Sequence, residues 1–269
     1  MSGGVRPAGR TAVPVLMYHA VSATPSPAAR QLSVSPRAFT RQLALLAAHG
    51  CTPLTTAALA TAWRTGRPLP ARPVLITFDD GYEGVHRHAL PALAAHGFAA
   101  TLFVTTGWLR GPYGTGGAPD TMLDWHQVRQ LAAAGVEIGG HSHRHPRLDD
   151  LDDARLRQEV LRCKDIVAEE TGGAPESFAY PYGYSSRRVR RAVRGLGFRQ
   201  ALAVGNALAD REQGPYALRR LTIRRDTRPE EFARIIEGRG LVRAYARDRM
   251  LTKGYAVLRR TRQAGRRCV

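Results

Sequence analysis

Short apolar runs alternate along the chain with longer stretches in which apolar positions recur every three or four residues. Most of the longer stretches stop at a glycine. This spacing predicts helices over 37–49, 83–96, 125–134 and 187–194, ended by Gly50, Gly97, Gly135 and the Gly195/Gly197 pair. Ser35 and Pro36 supply an N-cap and a first-turn proline for the first of them. A β-rich run follows each helix at once, at 53–55, 99–104, 136–138 and 200–204. Further strands are predicted at 13–18, 74–78, 177–180 and 218–223, and the longest helix over 152–170.

Such alternation favours a parallel sheet covered by helices. The predicted fold class is α/β, a distorted (β/α) barrel of about seven strands, with reactive groups where strands run out into loops. No internal linker divides the chain. One domain is read over 12–238, followed by a basic, helical tail over 239–269. The glycine-rich stretch 111–119 reads as one long loop that rims a cleft.

Composition narrows the partners. Forty Lys and Arg face 22 Asp and Glu in 269 residues, a net charge of +18, yet only Lys164 and Lys253 are lysines. An arginine, alanine and glycine bias of this kind also follows from GC-rich coding. No nucleic-acid motif accompanies it, so no nucleic-acid partner is expected. From residue 241 to 269 the tail carries eight arginines and one lysine against Asp248, interrupted by Leu241, Tyr245, Met250, Leu251, Val257 and Leu258. Such a segment suits peripheral contact with an anionic membrane. No apolar run reaches the ~20 residues of a membrane span, and no secretory leader is read, so the expected location is cytoplasmic or at the inner membrane face. Cys51, Cys163 and Cys268 share no metal or redox spacing.

Four strand ends carry polar clusters. The run 74–78 ends in Asp79, Asp80 and Gly81; the run 136–138 leads to His141, Ser142, His143, Arg144 and His145. The run 177–180 ends in Pro181, Tyr182 and Gly183, and the run 13–18 in His19. Two adjacent carboxylates at a strand end are costly unless a cation or a proton shares the site. His141 and His145, four apart, face one point from a turn, and with one carboxylate they form a facial set for a divalent ion. His143 alternates with them and is expected to point away.

The ordered set resembles the polysaccharide deacetylase family over most of 13–225. Thr77-Phe78-Asp79-Asp80-Gly81, His141-Ser142-His143-Arg144-His145 and Pro181-Tyr182-Gly183 match its first three motifs. The resemblance implies a hydrolase that removes N-acetyl groups from aminosugars of a glycan using one divalent ion, zinc above cobalt, nickel or iron. It implies Asp80, His141 and His145 as metal ligands and Asp79 as general base. Tyr182 would offer a backbone N–H to the oxyanion, with Pro181, Tyr182 and Trp125 against the substrate. Tyr113 is a further candidate for stacking on a sugar.

Two departures from the family pattern stand out. Ala179 occupies the place of the arginine that orients the base, which leaves Arg220, Arg224 and Arg225 as replacements. No histidine follows His145, so the usual C-terminal Leu-x-x-His is missing; Leu16-Met17-Tyr18-His19 supplies the same pattern at the start. This resembles the permuted subgroup typified by poly-N-acetylglucosamine deacetylases, with His19 as general acid. The alternatives are a cyclic-ureide or other amide hydrolase of the same superfamily, and a catalytically inactive carbohydrate-binding barrel.

Overall fold

β3 (Pro73–Phe78) is buried along its whole length, as an apolar strand covered on both faces must be. It forms the centre of an eight-stranded, all-parallel sheet in the computed structural model, which describes residues 12–246 and 248. The other strands are β1 (Val15–Tyr18), β2 (Thr52–Leu54), β4 (Thr101–Val104), β5 (Glu137–Gly140), β6 (Ser177–Ala179), β7 (Gln200–Leu202) and β8 (Leu221–Thr222). Their order is β7-β6-β5-β4-β3-β1-β8, with β2 pairing the first half of β3. The count is eight rather than about seven, because β2 and β4 share one side of β3.

The sheet curls into a distorted barrel. Leu218, just before β8, donates to Ala201 and accepts from Ala203, which brings the approach to β8 against β7 while β8 itself pairs β1. β1, from the start of the chain, is therefore inserted between β3 and β8.

The helices are α1 (Pro36–Ala48), α2 (Thr56–Thr65), α3 (Leu90–His96), α4 (Trp125–Ala133), α5 (Asp153–Thr171), α6 (Arg187–Gly195), α7 (Pro229–Ile236) and α8 (Leu241–Ala244). Ser35, Asp124, Asp152 and Ser186 cap α1, α4, α5 and α6 by accepting from the third backbone N–H beyond, as their side chains permit. The expected helix over 83–96 divides into a π-helical turn (Val85–Ala89) and α3. α2 and α7 were not expected from the sequence: α2 buries only Thr56 and Leu59, and α7, which buries Phe232, Ile235 and Ile236, is only eight residues long.

Alternation along the strands sets what lies inside. In β3, Val74, Ile76 and Phe78 face the helices, while Leu75 joins the inner cluster with Val15, Phe103, Ala179 and Leu202. Thr77 and Asp79 continue the Leu75 face, so period two carries an aliphatic floor up to a polar rim. At the other end α2 plugs the barrel. Leu59 enters the inner cluster, and Glu137 accepts from the Ala57 N–H, the Thr101 hydroxyl and the Ser177 hydroxyl. Burial raises the Glu137 pKa in spite of those donors.

The start of the basic segment lies on the barrel. Tyr245 is buried and donates to the Thr222 carbonyl, and Asp248 pairs Arg224. The remainder, including Met250, Leu251, Val257, Leu258 and Cys268, lies outside the described residues. No helix among the described residues is long and apolar enough to cross a membrane.

Candidate active site

The polar strand ends meet at one mouth of the barrel. Asp79 and Asp80 follow β3 directly. The Asp79 N–H donates to Tyr18 and the Asp80 carbonyl accepts from Thr105, which anchors the turn to β1 and to the segment after β4. Asp80 adopts φ 75°, a left-handed conformation that is strained for a residue with a Cβ. Gly81 follows at φ 101°; a Cβ there would sit 2.7 Å from the Leu109 side chain. Of the six non-glycine residues with positive φ among the described residues, four are Asp80, Ser142, His145 and Tyr182. Strain is thus gathered where three of the strands end.

Asp80, His141 and His145 offer one ligand atom each, all within 4.8 Å of one another. His141 Nε2 lies 3.3 Å and His145 Nε2 3.5 Å from Asp80 Oδ1, an oxygen that is buried without a hydrogen-bond partner. His141 Nδ1 is 2.8 Å from the Ala179 carbonyl. A carbonyl only accepts, so Nδ1 carries the proton and Nε2 turns its lone pair toward Asp80. An orphaned carboxylate oxygen facing two imidazole nitrogens fits a divalent cation between them.

His145 is oriented by a different device. Its ring stacks on Trp108 at 4.6 Å and meets the Tyr182 ring at 4.7 Å, while Nδ1 is buried without a partner. Its backbone N–H donates to Ser142 Oγ, and Glu159 accepts from the N–H groups of His143 and Arg144, fixing the turn. His143 points away as expected, with Nδ1 2.9 Å from the Thr106 hydroxyl.

Arg220 is fully buried and binds Asp79 through both terminal nitrogens, at 2.6 and 2.7 Å. Its guanidinium also lies 5.7 Å from the centroid of the Phe103 ring. Pairing of Leu221 with Leu16 turns Arg220 inward beside Val15, whereas Arg224 pairs with Asp248 outside. Of the three replacement arginines, Arg220 is the one that reaches the base position. His19, 8% exposed, lies level with Asp79 because Tyr18 pairs with Phe78, and its Nδ1 has no partner.

The electrostatics follow from this packing. Burial opposes ionisation of Asp79, but Arg220 and then His141 outweigh it and hold its carboxyl below the ordinary value. Burial likewise opposes ionisation of Asp80, and the His141, His19 and His145 imidazoles drive its carboxyl well below the usual range. Burial lowers the His19 pKa, with Asp80 and Asp79 acting against the shift. Burial and then His141 depress His145 to about 4. His141 moves the other way: Asp79 and Asp80 overcome its burial.

Pro181, Tyr182 and Gly183 form one tight turn after β6. Tyr182 has φ 58° and is 49% exposed at the mouth, with Arg147 over its ring. Gly183 is forced, since a Cβ would lie 2.2 Å from Val204. Trp125, expected against the substrate, is placed instead in the core: it is 4% exposed, at the start of α4, with Tyr113 against its edge. Its position as the first residue of an amphipathic helix turns it inward. Trp108, which pattern reading passed over, is the tryptophan at the site.

The sequence profile of polysaccharide deacetylases matches residues 66–201, just over half of the chain. The chain belongs to the polysaccharide deacetylase family. Members are hydrolases of carbon–nitrogen amide bonds, and the family is metal-dependent. Among curated proteins, this deacetylase-family chain is 26% identical over 225 residues to YxkH of Bacillus subtilis (strain 168), covering 84% of this chain and 76% of that one. It is 25% identical over 247 residues to the poly-β-1,6-N-acetyl-D-glucosamine N-deacetylase of Escherichia coli (strain K12), covering 77% of this chain but only 36% of that protein. Two solved structures share the fold. One is the Streptococcus pyogenes deacetylase PplD in complex with acetate, with a TM-score of 0.76, 24% identity and coverage of 85% and 99%. The other is IcaB from Ammonifex degensii, with a TM-score of 0.69, 24% identity and coverage of 84% and 96%.

Proposed function

We propose that this deacetylase hydrolyses the N-acetyl group of N-acetylglucosamine residues in a glycan, releasing acetate and leaving a free amine. The observation that carries the reading is the convergence of the Asp79–Arg220 pair, the Asp80/His141/His145 cluster and His19 at one barrel mouth. The Escherichia coli relative, named for the same bond in poly-β-1,6-N-acetyl-D-glucosamine, supports the choice of sugar.

Asp80, His141 and His145 would hold one divalent ion, with zinc suited to one carboxylate oxygen and two imidazole nitrogens. Such an ion supplies Lewis acidity, polarising the acetyl carbonyl and making water a stronger acid. Asp79, kept ionised and fixed in orientation by Arg220, takes a proton from the attacking water. The Tyr182 backbone N–H serves as oxyanion donor, a contribution of about 3 kcal/mol in comparable sites. His19 gives the leaving nitrogen its proton as the C–N bond breaks. Because burial favours neutral His19 in the resting site, the proton that Asp79 takes from water passes on through His19 to the leaving nitrogen, which returns Asp79 to its carboxylate form. Pro181 and the exposed Tyr182 ring form the wall against which the sugar packs.

Acetate release from N-acetylglucosamine oligomers tests the reading, with β-1,6- and β-1,4-linked chains compared. Release by the wild-type chain and none by Asp79→Asn is the expected result. Equal release by both would remove Asp79 from the mechanism, and no release from either linkage would remove the substrate class.

A further inference from the structure

The opposite mouth of the barrel holds a cleft of about 730 Å³, within the range of small-ligand sites. It lies between α2 and the segments that precede β7 and β8. Trp63 and Arg64 line one side; Arg199, Arg211 and Tyr216 line the other. The active site follows the C-terminal ends of the strands, whereas this cleft touches Gln200, the first residue of β7. The two sites are therefore at opposite ends of one barrel.

Two features specify a ligand. The lining holds three arginines and no carboxylate. Arg199 shares its charge with Glu176 at 3.1 Å, but Arg64 and Arg211 are exposed and have no acidic partner among the described residues. A guanidinium fork matches a carboxylate or phosphate with two hydrogen bonds. The second feature is a pair of partly buried aromatic side chains. The Tyr216 hydroxyl donates to the Phe198 carbonyl at 2.8 Å, and Trp63 packs against the inner cluster, so both rings are held in place. A fixed ring presents an apolar face at little entropic cost, as the C–H face of a pyranose requires.

We infer that this cleft binds an anionic sugar, a pyranose bearing a carboxylate or a phosphate, remote from the deacetylation centre. The preference for a sugar over other anions rests on the glycan reading above; the anion preference rests on the arginines alone. A glycan held there is tethered to the enzyme, which raises the effective concentration of its N-acetylated units at the other mouth.

The test is titration of the full chain with glucuronic acid, glucose 6-phosphate, N-acetylglucosamine and inorganic phosphate, followed by calorimetry and tryptophan fluorescence. The carboxylate and phosphate sugars distinguish the two sources of charge. At least one is expected to bind, about tenfold or more weaker in Arg64→Ser/Arg211→Ser, with the fluorescence response lost in Trp63→Phe. Asp80→Ala should bind that sugar as the wild type does, and the arginine variant should release acetate from a neutral oligomer at the wild-type rate. Binding of N-acetylglucosamine with equal affinity and the same Trp63 response would overturn the proposal. So would unchanged affinity in the arginine variant, inorganic phosphate binding as tightly as the sugars, or no binding of either anionic sugar. Anionic-sugar binding without any acetate release would instead contradict the deacetylase reading and leave this site standing.

Discussion

Arg220 and Asp79 meet inside the barrel through two parallel hydrogen bonds, at 2.6 and 2.7 Å, with neither residue more than 2% exposed. They lie 141 positions apart in sequence. A buried pair of this kind holds the carboxylate ionised and leaves it one orientation.

Replacing Arg220 separates those two effects. Arg220→Ala leaves Asp79 buried without a counter-charge and should cost about 3–5 kcal/mol of stability, seen as a lowered melting temperature. Arg220→Lys keeps the charge and loses the fork. Its kcat should fall by about one to two orders of magnitude, with the bound metal unchanged. Wild-type kcat in Arg220→Lys would contradict the positioning role.

His19 should be separable from metal binding. His19→Ala is expected to retain its metal content and lose about 10²–10⁴ in kcat, the usual contribution of a positioned acid. Metal analysis beside acetate release checks both halves, and full turnover in this variant would remove His19 from the mechanism.

Trp108 holds one face of His145, whose Nδ1 has no hydrogen bond to fix the ring. Trp108→Leu should therefore weaken metal affinity about tenfold or more, as loss of a group orienting a ligand does. Competition against a chromophoric chelator measures this. An unchanged affinity would show that the turn alone orients His145.

At the other end of the barrel, Glu137 binds its proton more tightly in the fold than in the unfolded chain, because burial raises its pKa. The stability it contributes is fully present below the unfolded glutamate pKa and is lost as pH rises through the folded value. Glu137→Gln has no such loss. Its stability should improve relative to wild type as pH is raised from about 4 to 7, by about 1.4 kcal/mol for each unit of displacement. A difference constant with pH, followed by thermal unfolding, would count against the buried acid.

The parts legible in the sequence are those with local signals. Helix caps such as Ser35, glycine stops and the apolar run of β3 mark most elements within a few residues. The carboxylate and imidazole clusters sit at strand ends, so the barrel brings Asp80, His141 and His145 together. Arg220 was narrowed only to three arginines. Period two excludes Arg225 from its face, but choosing between Arg220 and Arg224 needs the register of β8 on β1. Trp125 shares a helical face with Val128 and Leu131, a local spacing that turns it into the core. Nothing local says that Trp108, just before the long loop, turns toward His145. α2 went unread because its stability comes from plugging the barrel, a tertiary contact.

Acetate release after metal removal tests the central claim most directly. The chain is stripped with a chelator, assayed on an N-acetylglucosamine oligomer, and assayed again as zinc is added back. The account predicts no release from the stripped protein and full recovery at about one zinc per chain. Release that persists without metal, or none after reconstitution, would contradict it.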